Sequence, residues 1–386
     1  MNLVNKSIVL IIKTPVLGGA ERQALGFADY AQNTLNCKVT IISTHSKICS
    51  NEFEEYAQEL KLDNIHYRDD YFLKFSKLFS FQNFKNVIKT FLYIFSMIWF
   101  VGKFKPFMII PFLNPPSKLA VLIYKFTGAK YTFWHQLGLD FFREDFLEKI
   151  AINKTPLFIA NANNGIDEIL KTYEVPRDKL YCLPQYASLK FEDQDSSKIR
   201  EQLKVDSDAI VIGMISHFRK EKLFDLLFDA FQELKVDRKI HLILSGDAKN
   251  SNDTNEKYKQ LLKKENKSSN KITVLTNKSV SEILNVLDIG VLVSTIEGTP
   301  NVVMEYMLYG LPVIATNHIG CKELLNSDEL VINNNIEELV LKLNFLIDNP
   351  GEAKRIGLNN QKEIQKYSKE NYFKKLTSII SQNQLS

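Results

Sequence analysis

Cysteine is scarce in this chain. Four in 386 residues (Cys37, Cys49, Cys182 and Cys321), without paired spacing, exclude a disulfide scaffold and suggest a reducing compartment. None of His45, His66, His241 and His318 stands at metal-ligand spacing, which argues against zinc. No Gly-x-Gly-x-x-Gly follows the first apolar run at 8–12, so a hydride-transferring dinucleotide enzyme is disfavoured. A polar Asn-Lys leads straight into that run with no apolar signal region, so the expected location is cytoplasmic. The apolar run at 91–101 falls short of the roughly 20 residues a bilayer span needs. Acidic residues are missing altogether from 71–139.

That last gap makes a mild net charge of +4 uneven. Lys74, Lys77, Lys85, Lys89, Lys103, Lys105, Lys118, Lys125 and Lys130 fall inside it, so the rest of the chain is net acidic. Aromatics alternate with these lysines, among them Phe72, Phe75, Phe79, Phe84, Phe91, Phe95 and Trp99. Such a stretch suits a surface resting on anionic headgroups, and equally a buried helix followed by core strands. Nucleic acid is disfavoured, because a binder would carry arginines and a more basic total.

At 45% hydrophobic and 24% charged residues the chain is an ordinary globular protein long enough for about two domains. Strand-like runs at 8–12, 39–43, 65–67, 107–111, 131–134 and 157–160 alternate with stretches long enough for helices. A second series follows at 210–215, 240–245, 272–275, 289–293 and 313–315. The expectation is α/β, with two Rossmann-like doubly wound domains. The polar, acidic segment 192–197 is the candidate linker, and the expected division is 1–188, 189–365 and a helical tail at 366–386. Asp193-Gln-Asp195 and Asp206-Ser-Asp208 lie outside any strand end and are expected to serve as linker and caps rather than as a manganese site.

The segment 297–305, Glu-Gly-Thr-Pro-Asn-Val-Val-Met-Glu, stands between two of these strands. Thr299 is expected as N-cap, Pro300 as first helical residue and Gly310 as the stop. The amides of Asn301, Val302 and Val303 then suit a phosphate or sugar oxygen. Glu297 and Glu305 flank that anion site. Two acids beside it repel an anion unless hydroxyls are their partners, and a ligand with both phosphate and hydroxyls is a nucleotide sugar.

The Glu-x7-Glu spacing resembles that of the retaining glycosyltransferases of family 4, which have the GT-B fold. Further motifs follow in that family's order: Gly18-Gly-Ala-Glu-Arg-Gln23, Gly213 to Lys222, Ser245-Gly-Asp247, Gly310-Leu-Pro-Val-Ile-Ala-Thr316 and Gly320-Cys-Lys-Glu323. The resemblance implies two domains facing across a cleft, the first binding acceptor and the second donor, with the last helix returning to the first. It implies that Lys222, near the start of the helix expected at 221–234, clamps the donor diphosphate without a metal or other cofactor. The family's arginine five positions earlier is His217 here, and Arg219 stands nearby. By the same resemblance Glu305 accepts from ribose hydroxyls and Glu297 meets the donor sugar. Gly298, Thr299, Pro300, Asn301 and Val302 complete the loop, Gly18 and Gly19 approach the phosphates or the acceptor, and His135 contacts the transferred sugar.

The expected activity is retaining transfer of a hexosyl or N-acetylhexosaminyl group from a nucleotide sugar, UDP being the commonest carrier. The expected acceptor is a lipid-linked saccharide of a surface polysaccharide such as lipopolysaccharide or capsule, at the inner face of the membrane. Two rivals are kept: a non-catalytic subunit, favoured by His217, Leu223 and Cys321 at positions where the family differs, and a nucleotide-sugar epimerase.

Overall fold

The computed structural model describes residues 1–74, 81–138, 145–248, 252–268, 270–325 and 331–383. The chain forms two compact units, Met1–Ser188 with Lys369–Ser386, and Leu189–Ser368.

The first unit holds β1 (Ser7–Ile12), β2 (Lys38–Ser43), β3 (Ile65–Tyr67), β4 (Met108–Pro111), β5 (Trp134–Gln136), β6 (Phe158–Ala160) and β7 (Leu180–Cys182). They pair in parallel in the orders β3-β2-β1-β4 and β5-β6-β7. Along β1, Ile8, Leu10 and Ile12 enter one apolar cluster while Val9 and Ile11 enter another. A strand buried on both faces reads as a continuous apolar run, which is why it is so visible in the sequence. The Lys369–Gln382 helix belongs to this unit. Its Phe373 stacks on Phe27 at 4.3 Å, Tyr372 packs edge-on against Tyr186, and Lys369 pairs with Asp29.

The run expected as a strand at 131–134 is displaced. Tyr131 makes a single bridge to Met108, and pairing resumes only at Trp134. Beyond Tyr131, side chains replace the ladder toward β4: the His135 amide donates to Ser117 Oγ, and the His135 ring bonds the Pro111 carbonyl. β7 had no distinct apolar signal, because its three residues are only half-buried.

The apolar stretch at 91–101 is part of a longer Phe81–Gly102 helix, so the expected length was too short; from Gln82 onward it is long and apolar enough to cross a membrane. Of the expected basic face, Lys118 is buried and paired with Asp145, while Phe75, Lys77 and Phe79 lie outside the described residues; of the polar segment 250–255, expected as a loop, 250 and 251 lie outside them too and 252–255 open the Asn252–Glu265 helix.

The second unit holds β8 (Ile210–Ile215), β9 (Ile240–Gly246), β10 (Ile272–Thr276), β11 (Ile289–Leu292), β12 (Val313–Thr316) and β13 (Val331–Ile332) in the order β10-β9-β8-β11-β12-β13, all parallel. Strand order reverses between β8 and β11. At such a switch point the loops leaving neighbouring strands diverge and open a crevice at the carboxyl edge. Asp195 caps the Ser196–Gln202 helix through the Ser197 amide, whereas Asp208 makes an exposed ion pair with Lys239 rather than a cap.

Candidate functional site

Two loops leave the switch point of the second unit, 216–223 after β8 and 293–300 after β11. They are tied together by backbone: Lys222 bridges Ser294, the Leu223 amide donates to the Val293 carbonyl at 3.0 Å, and the Thr295 amide to the Glu221 carbonyl at 2.9 Å. This fixes Lys222 beside Glu297, and the ammonium bonds the carboxylate. Both side chains are largely buried, so each charge depends on the other for compensation.

Behind the loops stands a scaffold the sequence reading missed. Tyr306 is fully buried; its hydroxyl accepts from the Ile215 amide at 3.0 Å and lies 3.2 Å from the Val291 carbonyl, joining the ends of β8 and β11. Gly290 makes room for that ring, since a Cβ there would lie 2.5 Å from it. The Ser294 amide donates to Thr316 Oγ1, and its carbonyl meets His318 Nε2 at 3.0 Å and Asn334 Nδ2 at 2.8 Å. Thr316 stood in a quoted motif. His318 and Asn334 carried no signal, because only the β12–β13 edge brings them to Ser294.

The helix begins one residue later than expected. It spans Asn301–Leu308, with Pro300 rather than Thr299 at the N-cap and no side-chain cap. Proline's fixed φ suits that place, and Thr299 is buried instead. Gly310 adopts φ +69° just past the end, the left-handed stop a glycine permits. The Glu297 and Glu305 side chains are both buried, as is Cys321, whose thiol is pushed well up by burial and by the Glu297 carboxylate, against the pull of Lys222. Gly320 explains its own motif. A Cβ would stand 1.8 Å from the Gly298 carbonyl oxygen, so the Ile319–Leu324 helix can press on the Glu297 loop only through a glycine.

Gly246 does the same for the Ser245-Gly-Asp247 motif, where a Cβ would lie 1.8 Å from the Ser216 carbonyl oxygen. That contact brings Asp247 within 3.8 Å of His217. Arg219 lies 3.8 Å from Glu221 and is half-exposed. The structure therefore places His217, Arg219 and Lys222 on the first of these loops, and Glu297, Gly298, Thr299, Pro300, Asn301, Val302 and Glu305 on the second loop and the helix that follows it. No group of three or more His, Cys, Asp or Glu among the described residues could hold a metal ion.

In the first unit, Gly18 and Gly19 open the Gly19–Asn33 helix after β1. Gly18 has an extended backbone, and a Cβ there would lie 2.9 Å from the movable end of the Glu21 side chain. His135 lies inside β5 rather than after it and is buried. Burial pushes its imidazole down to about 4, partly opposed by the bond to Pro111. The ring is thus neutral, with Nδ1–H donating to the Pro111 carbonyl at 2.9 Å, and its Nε2 has no hydrogen-bond partner among the described residues.

Residues 195–363 match the family model of glycosyl transferases group 1, so the second unit carries a domain of that family. An uncharacterized glycosyltransferase of Haemophilus influenzae is 33% identical over 143 residues, 35% of this chain. The match spans only 39% of that relative's length. Among solved structures, Anabaena HepE in complex with UDP and glucose superposes with a TM-score of 0.77 at 17% identity, over 98% of this chain and 100% of that one. A Rickettsia africae glycosyltransferase gives 0.75 at 21% identity, over 98% and 99%. A point mutant of S. aureus TarM, in a complex containing UDP, gives 0.67 at 13%, over 97% and 99%. These likenesses establish the GT-B fold.

Proposed function

We propose that this chain is a metal-independent, retaining glycosyltransferase that uses a UDP-sugar. The observation that carries the proposal is the Lys222–Glu297 pair at the switch point of a glycosyl transferases group 1 domain, with Glu305 in the adjoining helix. UDP is the carrier favoured by the HepE complexes with UDP and with UDP-glucose. Lys222, aided by His217 or Arg219, stabilises the departing diphosphate, together with main-chain NH groups at 301–303. Such donors act where charge develops and require no reorganisation during the step. The diphosphate and a sugar hydroxyl take over the two charges that Lys222 and Glu297 otherwise satisfy in each other.

Glu305 accepts from the ribose hydroxyls and Glu297 from the transferred sugar. Gly18, Gly19 and the Nε2 lone pair of His135 are the substrate contacts of the first unit. The acceptor hydroxyl attacks the face from which the diphosphate departs, which keeps the anomeric configuration. The acceptor is a lipid-linked surface saccharide, and the protein works peripherally on the cytoplasmic membrane.

Glu305→Ala tests the reading. Transfer from a UDP-hexose to a lipid-linked acceptor should fall by about 100-fold or more, as when a transition-state hydrogen bond is removed, while the fold measured by circular dichroism is kept. A variant that retained full transfer would refute the assigned role, and a parent protein inactive with every nucleotide sugar would favour the non-catalytic reading.

A further inference from the structure

The Phe81–Gly102 helix has two apolar faces, and only one of them is used. On the inner face Tyr93, Met97 and Val101 are buried against Val9, Ile109 and Leu119. On the outer face Phe84, Ile88, Phe91, Leu92, Phe95 and Trp99 are exposed, from 45% at Ile88 to 72% at Phe95. At 3.6 residues per turn these six fall within an arc of roughly 100° and run most of a helix about 30 Å long. A contiguous apolar patch of this kind marks an interaction surface.

We propose that this face docks on an anionic lipid bilayer, with the helix lying in the interfacial plane. The inference deepens the peripheral-membrane part of the function proposed above and rests on it. Charge selects the occupant. Lys85, Lys89 and Lys103 are exposed along one border of the apolar arc, where the nearby Asp70 carboxylate is already paired with Arg68. Lys103 stands 3.3 Å from the Trp99 ring centroid, pairing an interface-seeking aromatic with a cation at headgroup level. The Tyr124–Thr127 turn packs against this helix and adds a second example, exposed Phe126 beside exposed Lys125.

A second copy of the chain fits poorly. A second copy packed antiparallel about a two-fold axis would set the two lysine borders against each other. Spanning is also disfavoured, despite adequate length and apolarity. The inner face covers the sheet beside β1 and β4, and Arg68 holds the helix by bonding Ser96 Oγ and standing over the Phe100 ring. The geometry is that of a helix lying on the membrane.

Trp99 makes the test direct, because the only other tryptophan, Trp134, is fully buried. The full chain is mixed with vesicles of phosphatidylcholine alone or with 30% phosphatidylglycerol, a composition chosen as about that of an anionic surface. Expected are sedimentation with the anionic vesicles only, a blue shift of tryptophan emission quenched by shallowly brominated lipid, and release by alkaline carbonate. Phe95→Asp with Trp99→Asp should lower partitioning by at least about tenfold, and Lys85→Glu with Lys89→Glu should abolish its salt sensitivity. Stabilisation by UDP should be unchanged in both variants, which separates loss of docking from loss of fold or donor binding.

Equal binding of parent and variants would overturn the assignment to this helix while leaving peripheral attachment intact. Absence of vesicle binding by the parent would overturn both. Carbonate-resistant association would overturn the in-plane geometry. A dimer dissolved by Phe95→Asp, without vesicle binding, would assign the face to a second copy.

Discussion

Lys222 and Glu297 show how a reactive charge can be stored in a folded site. Each is largely withdrawn from water and satisfied by the other, so a ligand has to offer both an anion and a hydroxyl to replace that bond. The acids were legible in the sequence because glycine and proline framed them, but the pairing of Glu297 with Lys222 was not, since the two stand 75 residues apart. His135 is the second residue whose state came from burial. Its folded value near 4 lies below the ordinary value near 6.5, so between these pH values the unfolded chain holds a proton that the folded chain refuses. The stabilisation due to the neutral ring is complete above about pH 6.5 and declines as pH falls toward 4. From pH 7.5 to 5 this removes roughly 2 kcal/mol. His66 and His241 are lowered by burial too and act in the same direction. The difference between parent and His135→Asn in urea unfolding at the two pH values isolates the His135 share; equal pH dependence in both would contradict it.

At the scale of elements, the 294–308 loop and helix were visible because their punctuation is local: a left-handed Gly310, a proline at the start and apolar strands on either side. The one-residue error at the cap arose because Thr299 is drawn into the packed interior instead of capping. Glycines at close approaches carry the contacts between elements. Gly320→Ala should force the Ile319–Leu324 helix off the Glu297 loop, because the obstacle is a carbonyl oxygen and not the end of a flexible side chain. The expected loss is roughly 1–3 kcal/mol, as for other overpacked positions, together with weaker stabilisation by UDP. Gly351→Ala is the control. It lies in the Pro350–Glu363 helix with nothing within 4 Å of a new Cβ, so it should stabilise by roughly 0.5–1 kcal/mol. Melting curves of the two variants with and without UDP check both expectations, and a Gly320→Ala protein as stable and as UDP-responsive as the parent would remove the packing argument.

For the whole molecule, nucleotide preference is the property that bears most on the proposed activity. A ligand that binds only the folded form raises apparent stability by about 2.7 kcal/mol at 100 times its dissociation constant. Among uridine, guanosine and adenosine diphosphates, UDP should raise the melting temperature most, and a chelator should leave that rise unchanged. A response confined to another nucleotide would refute the donor, and a response abolished by chelation would refute metal independence. The order β10-β9-β8-β11-β12-β13 underlies the expectation, since it places the ends of β8 and β11 side by side.

From the sequence alone came the alternation of apolar runs and helices, the two Rossmann-like halves, the framed pair of acids and the one-signed stretch at 71–139. All of these are local in the chain, written in periodicity, turn residues and charge. Tertiary structure alone decided which distant residues meet and which face of an element remains outside. The Phe81–Gly102 helix is apolar on both sides, so its periodicity could not say which side the sheet would cover; β1 and β4 bury Met97 and Val101 and leave Phe95 and Trp99 out. Neighbours in a parallel sheet are likewise joined by long crossovers, so strand order, and with it the meeting of Lys222 and Glu297, depended on packing across the sheet and not on any local pattern.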